Sequence, residues 1–205
     1  EAKSLAEANA PPIWSGEGDP LECTLCQRSH GVFRPLHHCR NCGYYVCDNC
    51  SDKYWPSSMI PECYHNQETI VRTCDSCNIL MESFNDALRR GDAQAAFAAF
   101  SSGNVNIHCP LTVYKSEEYP IHCAVRGGNL MLVRWLIETK QAAVARILPN
   151  GNRTPLVTTK GISCLGIAAY YGHSDILKYL VQKRGCSLME ITDADVLRRG
   201  LHAVV

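Results

Sequence analysis

Net charge is the first thing this 205-residue chain lacks: 20 Lys+Arg stand against 20 Asp+Glu. A neutral total excludes a chain drawn as a whole onto nucleic acid or an anionic membrane by its global field. Also missing is any run near the ~18 apolar residues that a membrane-spanning helix needs. The N-terminus carries no signal-peptide core. There is no Gly-rich phosphate loop, no nucleophile elbow and no carboxylate pair with an argument behind it, so no enzyme and no small-molecule substrate are expected. Hydrophobic residues are not scarce: at 46% they suffice for packed cores and exclude a disordered chain. The chain begins at Glu1 instead of Met, from which a preceding segment is expected.

What is abundant is cysteine, 13 in all and unevenly placed. Nine lie in the first 77 residues (Cys23, Cys26, Cys39, Cys42, Cys47, Cys50, Cys63, Cys74 and Cys77), and only Cys109, Cys123, Cys164 and Cys186 lie beyond. Charge breaks at the same place. Residues 1–80 carry 6 Lys+Arg and 10 Asp+Glu, a net of −4, and residues 81–205 carry the balancing +4. Two domains are therefore expected, 1–80 and 81–205. The modest basic excess of the second is concentrated on no helix, which argues against a nucleic-acid partner.

Eight of the front cysteines form four CxxC pairs, Cys23/Cys26, Cys39/Cys42, Cys47/Cys50 and Cys74/Cys77. A CxxC pair on a tight turn aims both sulfurs at one point, and two pairs complete a closed tetrahedral four-sulfur site for Zn²⁺. Four pairs mean two zincs. A disulfide framework would need a secreted context and strained CxxC bridges. Twelve residues separate pairs one and two, four separate pairs two and three, and 23 separate pairs three and four. Pairs two and three are too close to share one metal without crowding. A cross-brace follows, with Cys23, Cys26, Cys47 and Cys50 on zinc 1 and Cys39, Cys42, Cys74 and Cys77 on zinc 2. Such metals replace the core that about sixty residues supply poorly. A RING-type ubiquitin ligase module would want Cys-x-His in place of Cys39-x-x-Cys42 and a shorter gap before the next pair.

These residues resemble the FYVE zinc fingers from Trp14 to Cys77. Trp14-Ser15-Gly16-Glu17 stands where the family has WxxD, His37-His38-Cys39-Arg40-Asn41-Cys42-Gly43 stands where it has (R/K)(R/K)HHCRxCG, and Arg72-Thr73-Cys74 stands where it has the closing RVC. The resemblance implies binding of phosphatidylinositol 3-phosphate on endosomal membranes. By position, Glu17, Arg34, His37, His38, Arg40 and Arg72 would surround the headgroup, and Val32 and Phe33 would form the turret that enters the bilayer. Arg offers a planar fork to phosphate oxygens, and His donates more strongly when protonated, which implies tighter binding at mildly acid pH.

The departures from the family pattern support a competing reading, a zinc-stapled scaffold without lipid binding. Pro35 and Leu36 replace the two basic residues ahead of the His pair. Each lost charge is worth ~1 to 3 kcal/mol against phosphate. Glu17 is longer than Asp, His30 stands where an aromatic is expected, and the net −4 opposes an anionic leaflet. Cys63 and His65, in an extended segment before Cys74, are too few for a third metal site and read as buried or free side chains. Trp55 and Tyr64 read as an interaction surface or as packing on the zinc core.

Beyond Ile79 the punctuation is helical. Ala87 to Asp92, Ala124 to Asn129 and Ala168 to His173 each place a small residue four before a Gly and a polar residue after it. Apolar residues at helical spacing follow: Phe97 and Phe100, then Val133, Leu136 and Ile137, then Ile176, Leu177, Leu180 and Val181. These segments resemble ankyrin repeats, with Tyr119-Pro120-Ile121-His122-Cys123-Ala124 in place of TPLHxA, Ser163 to Ala168 a looser copy, and Gly103-Asn104-Val105-Asn106 in place of the repeat-closing GAxVN. The glycines are separated by 37 and 44 residues against a nominal ~33, so insertions are expected around Cys109 to Glu118 and Ile147 to Lys160, the latter a protruding hairpin.

Asn78 to Arg90 contains no breaker, so one helix is expected to run from the zinc module into the first repeat and couple the two rigidly. Thr192 to Leu201 reads as a capping helix. His122 is expected in a structural hydrogen bond, and the four late cysteines as small buried hydrophobes. The whole reads as a small zinc-stapled α+β module, cross-braced by two Zn²⁺, followed by an all-α ankyrin-repeat solenoid of about three repeats. The implied function is an adaptor: cytoplasmic, peripheral on endosomal membranes, holding a protein partner through the repeats. The competing class is a subunit of a protein assembly that uses both modules for protein contacts.

Overall fold

The cysteine-rich sequence is too short of apolar residues for long elements, and in the computed structural model of this chain it makes two small hairpins. The structure describes residues 21–31, 35–61, 64, 68–113 and 116–191. The chain divides into two units, Glu1–Phe84 with Ala98–Cys109, and Asn85–Phe97 with Pro110–Val205.

In the first unit, β1 (Leu36–His38) pairs antiparallel with β2 (Tyr45–Cys47), His37 opposite Val46. A second antiparallel pair joins β3 (Lys53–Pro56) to β4 (Ile70–Thr73), Tyr54 opposite Arg72. Strand alternation buries Trp55 and Val71 and leaves Tyr54 and Ile70 in solvent. Trp55 is core rather than surface, its indole N–H donating to Asn78 Oδ1 at 2.6 Å. Helix α1 (Asp75–Arg89) carries Asp75 in its first turn and Arg89 in its last, both favourable to the helix dipole. It is unbroken, as its lack of Gly and Pro predicts. Its buried positions Cys77, Met81, Phe84 and Leu88 recur at helical spacing. The segment Ala98–Cys109 completes this unit, with Phe100 tilted on Phe84 at 6.2 Å between ring centroids and Val105 and Ile107 buried.

The later chain shows helix pairs that turn on glycines with positive φ. Helix α1 ends at Gly91 (φ 66), and Asp92 Oδ1 accepts from Ala95 N–H to start α2 (Ala93–Ser102). Helix α3 (Pro120–Gly127) opens on a Pro, whose missing N–H costs nothing in a first turn, and ends at Gly128 (φ 73). Asn129 caps α4 (Leu130–Arg134), which continues as a π-helical turn, Trp135–Thr139. Ser163 Oγ caps α5 (Cys164–Tyr171), which ends at Gly172 (φ 75) before α6 (Ser174–Arg184).

In the second unit the polar residues after Gly128 and Gly172 reach back to the preceding turn: Asn129 Nδ2 donates to Gly91 O at 2.8 Å, and His173 Nε2 bonds Arg126 O at 3.0 Å. Residues Cys164 to Ala169 are buried on all sides, as a helix packed between α3 and α6 requires. Cys123, Cys164 and Cys186 are buried here, and Cys109 is buried in the first unit.

The expectation of an all-α second half is corrected by two hairpins, β5 (Leu111–Val113) with β6 (Ser116–Glu118) and β7 (Ala145–Ile147) with β8 (Arg153–Pro155). Both fall at the expected insertions, and between β7 and β8 the residues Pro149, Asn150, Gly151 and Asn152 cannot continue a helix and turn instead. The capping helix expected over Thr192 to Leu201 lies outside the described residues.

Candidate functional site: two cysteine clusters and a basic cluster

Cross-bracing is visible in how the elements present sulfur. Cys23 and Cys26 lie on a turn closed by the Glu22 and Ser29 bridge, Cys47 ends β2, and Cys50 follows in the 3₁₀ turn Asp48–Cys50. Cys39 and Cys42 occupy the β1–β2 turn, Cys74 follows β4, and Cys77 sits in the first turn of α1. The four sulfurs of Cys23, Cys26, Cys47 and Cys50 lie within 4.8 Å of one another, as do those of Cys39, Cys42, Cys74 and Cys77.

The fit to zinc follows from the sulfur spacing. A tetrahedron with Zn–S of about 2.3 Å has sulfur-to-sulfur edges of about 3.8 Å. Cys26 to Cys47, Cys39 to Cys77 and Cys42 to Cys74 are each 3.8 Å. Backbone amides point at the sulfurs as they do at thiolates: Cys47 N–H to Cys23 at 3.4 Å and Cys74 N–H to Cys39 at 3.3 Å. Burial raises the Cys23 thiol, but amides at Cys26, Cys47 and Leu25 outweigh it and lower it to about 6. In the other cluster, hydrogen bonds from its three neighbours hold the Cys39 thiol down, and the Cys39 sulfur in turn pushes Cys42 and Cys77 up. Four thiols at this spacing ionise together only around a cation. The residues after Cys26 and Cys42 are left-handed, Gln27 (φ 56) and Gly43 (φ 80), which closes those two turns. One further donor is a side chain: Asn41 Nδ2 lies 3.3 Å from Cys77 Sγ.

The basic residues gather beside these clusters. Consecutive residues of a strand face opposite ways, so His37 and His38 part company. His37 Nε2 lies 3.0 Å from Asp48 Oδ1. Arg72, from β4, donates Nη1 to the same oxygen at 2.8 Å, and to Ser51 O and Oγ at 3.2 and 3.3 Å. Its guanidinium lies 5.1 Å from the Tyr54 ring centroid. His38 instead lies against Tyr45, ring centroids 4.1 Å apart, and burial followed by the nearby Arg40 charge lowers its pKa. Arg40 donates its backbone N–H to Arg72 O and Nη1 to His38 O, both at 3.0 Å, and pairs with Glu68 at 3.7 Å. The structure thus brings His37, Arg72 and, through the backbone, Arg40 together. Glu17, Val32, Phe33, Arg34, Cys63 and His65 lie outside the described residues.

Sequence reasoning passed over Asp48, Ser51 and Tyr54. Asp48 stands inside the third Cys pair, where its signal was absorbed into the net charge.

The second unit holds a groove of about 670 Å³ lined in part by Arg89, Arg126, Lys160, Tyr170 and Tyr171. Glu118, 8% exposed, joins Arg89 at 3.8 Å and Arg126 more closely. His122 is fully buried beside it, Nδ1 accepting from Tyr119 N–H at 3.2 Å and Nε2 donating to Leu156 O at 3.1 Å. Burial pulls its pKa down to about 4.

Comparison with known proteins divides along the same lines. A family model described as FYVE zinc finger matches residues 13–83, and one described as ankyrin repeats, three copies, matches 84–192. RUN and FYVE domain-containing protein 2 of Homo sapiens is 35% identical over 69 residues, 34% of this chain and 10% of that protein. Human RUN and FYVE domain-containing protein 1 is 30% identical over 81 residues, 40% of this chain and 10% of that protein. The chain thus spans about a tenth of the length of the curated relatives it matches. Among solved structures, the LM5-1 FYVE domain from Leishmania major is 30% identical at a TM-score of 0.29, covering 36% of this chain and 82% of that one. The tandem VHS and FYVE domains of Hrs, a protein involved in membrane trafficking and signal transduction, are 31% identical at 0.29, covering 36% and 30%. With the two four-cysteine clusters, the finger match supports two zinc ions.

Proposed function

The chain belongs to the ankyrin-repeat family and carries a FYVE zinc finger ahead of the repeats, and we propose that it is a non-enzymatic adaptor joining a phosphatidylinositol 3-phosphate membrane to a protein partner. Both kinds of domain are non-catalytic. In this reading Cys23, Cys26, Cys47 and Cys50 hold one zinc and Cys39, Cys42, Cys74 and Cys77 the other, and the division near residue 80 separates membrane from partner binding. The three helix pairs stack as a solenoid whose groove, with Arg89, Arg126 and the Tyr170–Tyr171 pair, takes the partner. No nucleic acid or small-molecule substrate enters this account. The chain is cytoplasmic and peripheral on endosomal membranes, and no helix among the described residues is long and apolar enough to cross one.

The observation that carries the lipid reading is the convergence of His37 and Arg72 on one anionic oxygen. Arg72 donates to that oxygen, and His37 Nε2, buried and without a hydrogen-bond partner, stands beside it, so a phosphate oxygen at this point would meet one donor already aimed and one to spare. Glu17 and Arg34 would complete the headgroup contacts, with His38 and Arg40 flanking, and Val32 and Phe33 would enter the bilayer. The same observation supports a second reading, a structural or accessory subunit whose finger has lost lipid binding, because the convergent anion is the chain's own Asp48.

Sedimentation with vesicles that contain or lack phosphatidylinositol 3-phosphate separates the two readings. Lipid-dependent pelleting at both pH ~6 and pH ~7.4, on either side of the usual His range, is the expected result. Equal pelleting with both vesicle types at both pH values leaves the accessory-subunit reading.

A further inference from the structure

Asp48 occupies the centre of the basic cluster. Its Oδ1 lies 3.0 Å from His37 Nε2 and 2.8 Å from Arg72 Nη1, and its side chain is 55% exposed. Arg72 donates to this oxygen, while His37 Nε2 is buried beside it without a hydrogen-bond partner, and a phosphate oxygen in the same place would lie within reach of both. The carboxylate is held on the short 3₁₀ turn Asp48–Cys50, between two clustered cysteines, so it stays near the donors at no cost in association entropy. Arg72 Nη1 has no donor capacity to spare, since Ser51 O and Oγ share it with Asp48. An incoming phosphate therefore competes with a tethered anion, and both negative groups cannot share two donors without mutual repulsion. A second acid, Glu68, stands 3.7 Å from Arg40 at the rim of the same cluster.

Resting on the lipid reading above, we propose that Asp48 is a built-in counter-anion that occupies the phosphate position and sets the affinity and selectivity of the site. Only a doubly charged phosphate monoester displaces it; a singly charged phosphodiester or carboxylate on a lipid surface does not. The neutral lipids of a bilayer and its singly charged headgroups are thereby rejected by a group within the protein, a selectivity achieved by repulsion.

The test uses the full chain with Asp48→Asn, an isosteric change, and Asp48→Ser, a smaller one. Asp52→Asn removes the same charge from an exposed side chain paired with Lys53 and serves as the charge control. Zinc content confirms that each variant is folded. Three probes are read: vesicles with phosphatidylinositol 3-phosphate, the same vesicles with phosphatidylserine in its place, and inorganic phosphate followed by the His37 ring resonance. Both Asp48 variants should bind the phosphoinositide vesicles roughly tenfold more tightly, gain binding to phosphatidylserine, and show a His37 shift at lower phosphate, with Asp52→Asn near wild type.

If wild type pellets and neither Asp48 variant binds more tightly, the counter-anion is disproved and the lipid reading stands. If only the Asp48 variants pellet, lipid binding by the natural chain fails and the counter-anion stands. If no protein pellets but phosphate shifts His37 at lower concentration in the Asp48 variants, the counter-anion stands for free phosphate and the lipid reading fails. A gain matched by Asp52→Asn, or no response to any probe, overturns the proposal.

Discussion

Asn41 and Asn104 hold each other by reciprocal hydrogen bonds: Asn41 Nδ2 donates to Asn104 O at 3.0 Å, and Asn104 Nδ2 donates to Asn41 O at 2.6 Å. They are 63 residues apart in sequence, and neither is more than 2% exposed. Asn106 adds a bond to Asn41 Oδ1 at 2.8 Å and one to Met59 O at 3.0 Å, and Asn104 also donates to the Tyr64 hydroxyl. Because the Asn41 amide also lies against Cys77 Sγ, the segment from Ala98 to Cys109 orients a group that donates to a clustered sulfur.

Removing one member leaves buried partners unpaired. Asn104→Ala should destabilise the first unit by about 1 to 3 kcal/mol, and Asn41→Ala should weaken zinc at the Cys39 cluster roughly tenfold, as loss of a group bonded to a metal ligand does. Zinc release to a chromophoric chelator measures the second effect, and two release phases that slow or quicken together would contradict it.

Zinc removal should unfold the first unit. Its hairpins are three or four residues long, too short to stand without the metals. Two zinc ions per chain by atomic absorption, and loss of Trp55 burial on chelation followed by fluorescence, are the expected results. A Trp55 signal indifferent to chelator would sink the idea.

His122 makes stability depend on pH. Its pKa is about 4 in the folded protein against the usual 6.5, so between those values the unfolded chain binds more protons. Stability is then fully present above pH ~6.5 and falls by up to about 3 kcal/mol as pH drops to ~4. Denaturant midpoints across that range should fall more steeply for wild type than for His122→Gln; parallel profiles would remove His122 as the cause.

Two glycines should respond differently to alanine. A Cβ on Gly127 would meet Leu88 O at 2.0 Å, whereas one on Gly172 (φ 75) meets nothing within 4 Å. Gly172→Ala should cost about 1 to 2 kcal/mol of left-handed strain. Gly127→Ala should cost more, about 3 kcal/mol or above, because backbone must move. Equal melting shifts for the two would refute the close approach.

The Cys pairs, the basic motif and the three Gly-centred turns were legible because each is a local device. A CxxC turn aims its sulfurs, and a glycine after a helix takes positive φ, whatever lies elsewhere in the chain. Even the cross-brace followed from a four-residue gap, and the hairpin at the second insertion from its Pro, Asn and Gly. Gly103 to Asn106 read only as the close of a repeat, because nothing local announces that Asn104 and Asn106 meet Asn41.

The sequence by itself determined that this protein carries two four-cysteine zinc sites and ankyrin repeats, since those depend on spacing along the chain. Tertiary structure decided what surrounds them. Strand alternation parted His37 from His38, the pairing of β3 with β4 carried Arg72 to Asp48, and that carboxylate became the neighbour that the basic cluster answers to. Charge summed over a sequence has no positions, whereas Coulomb attraction falls with distance, so only the fold could show which acid faces which base.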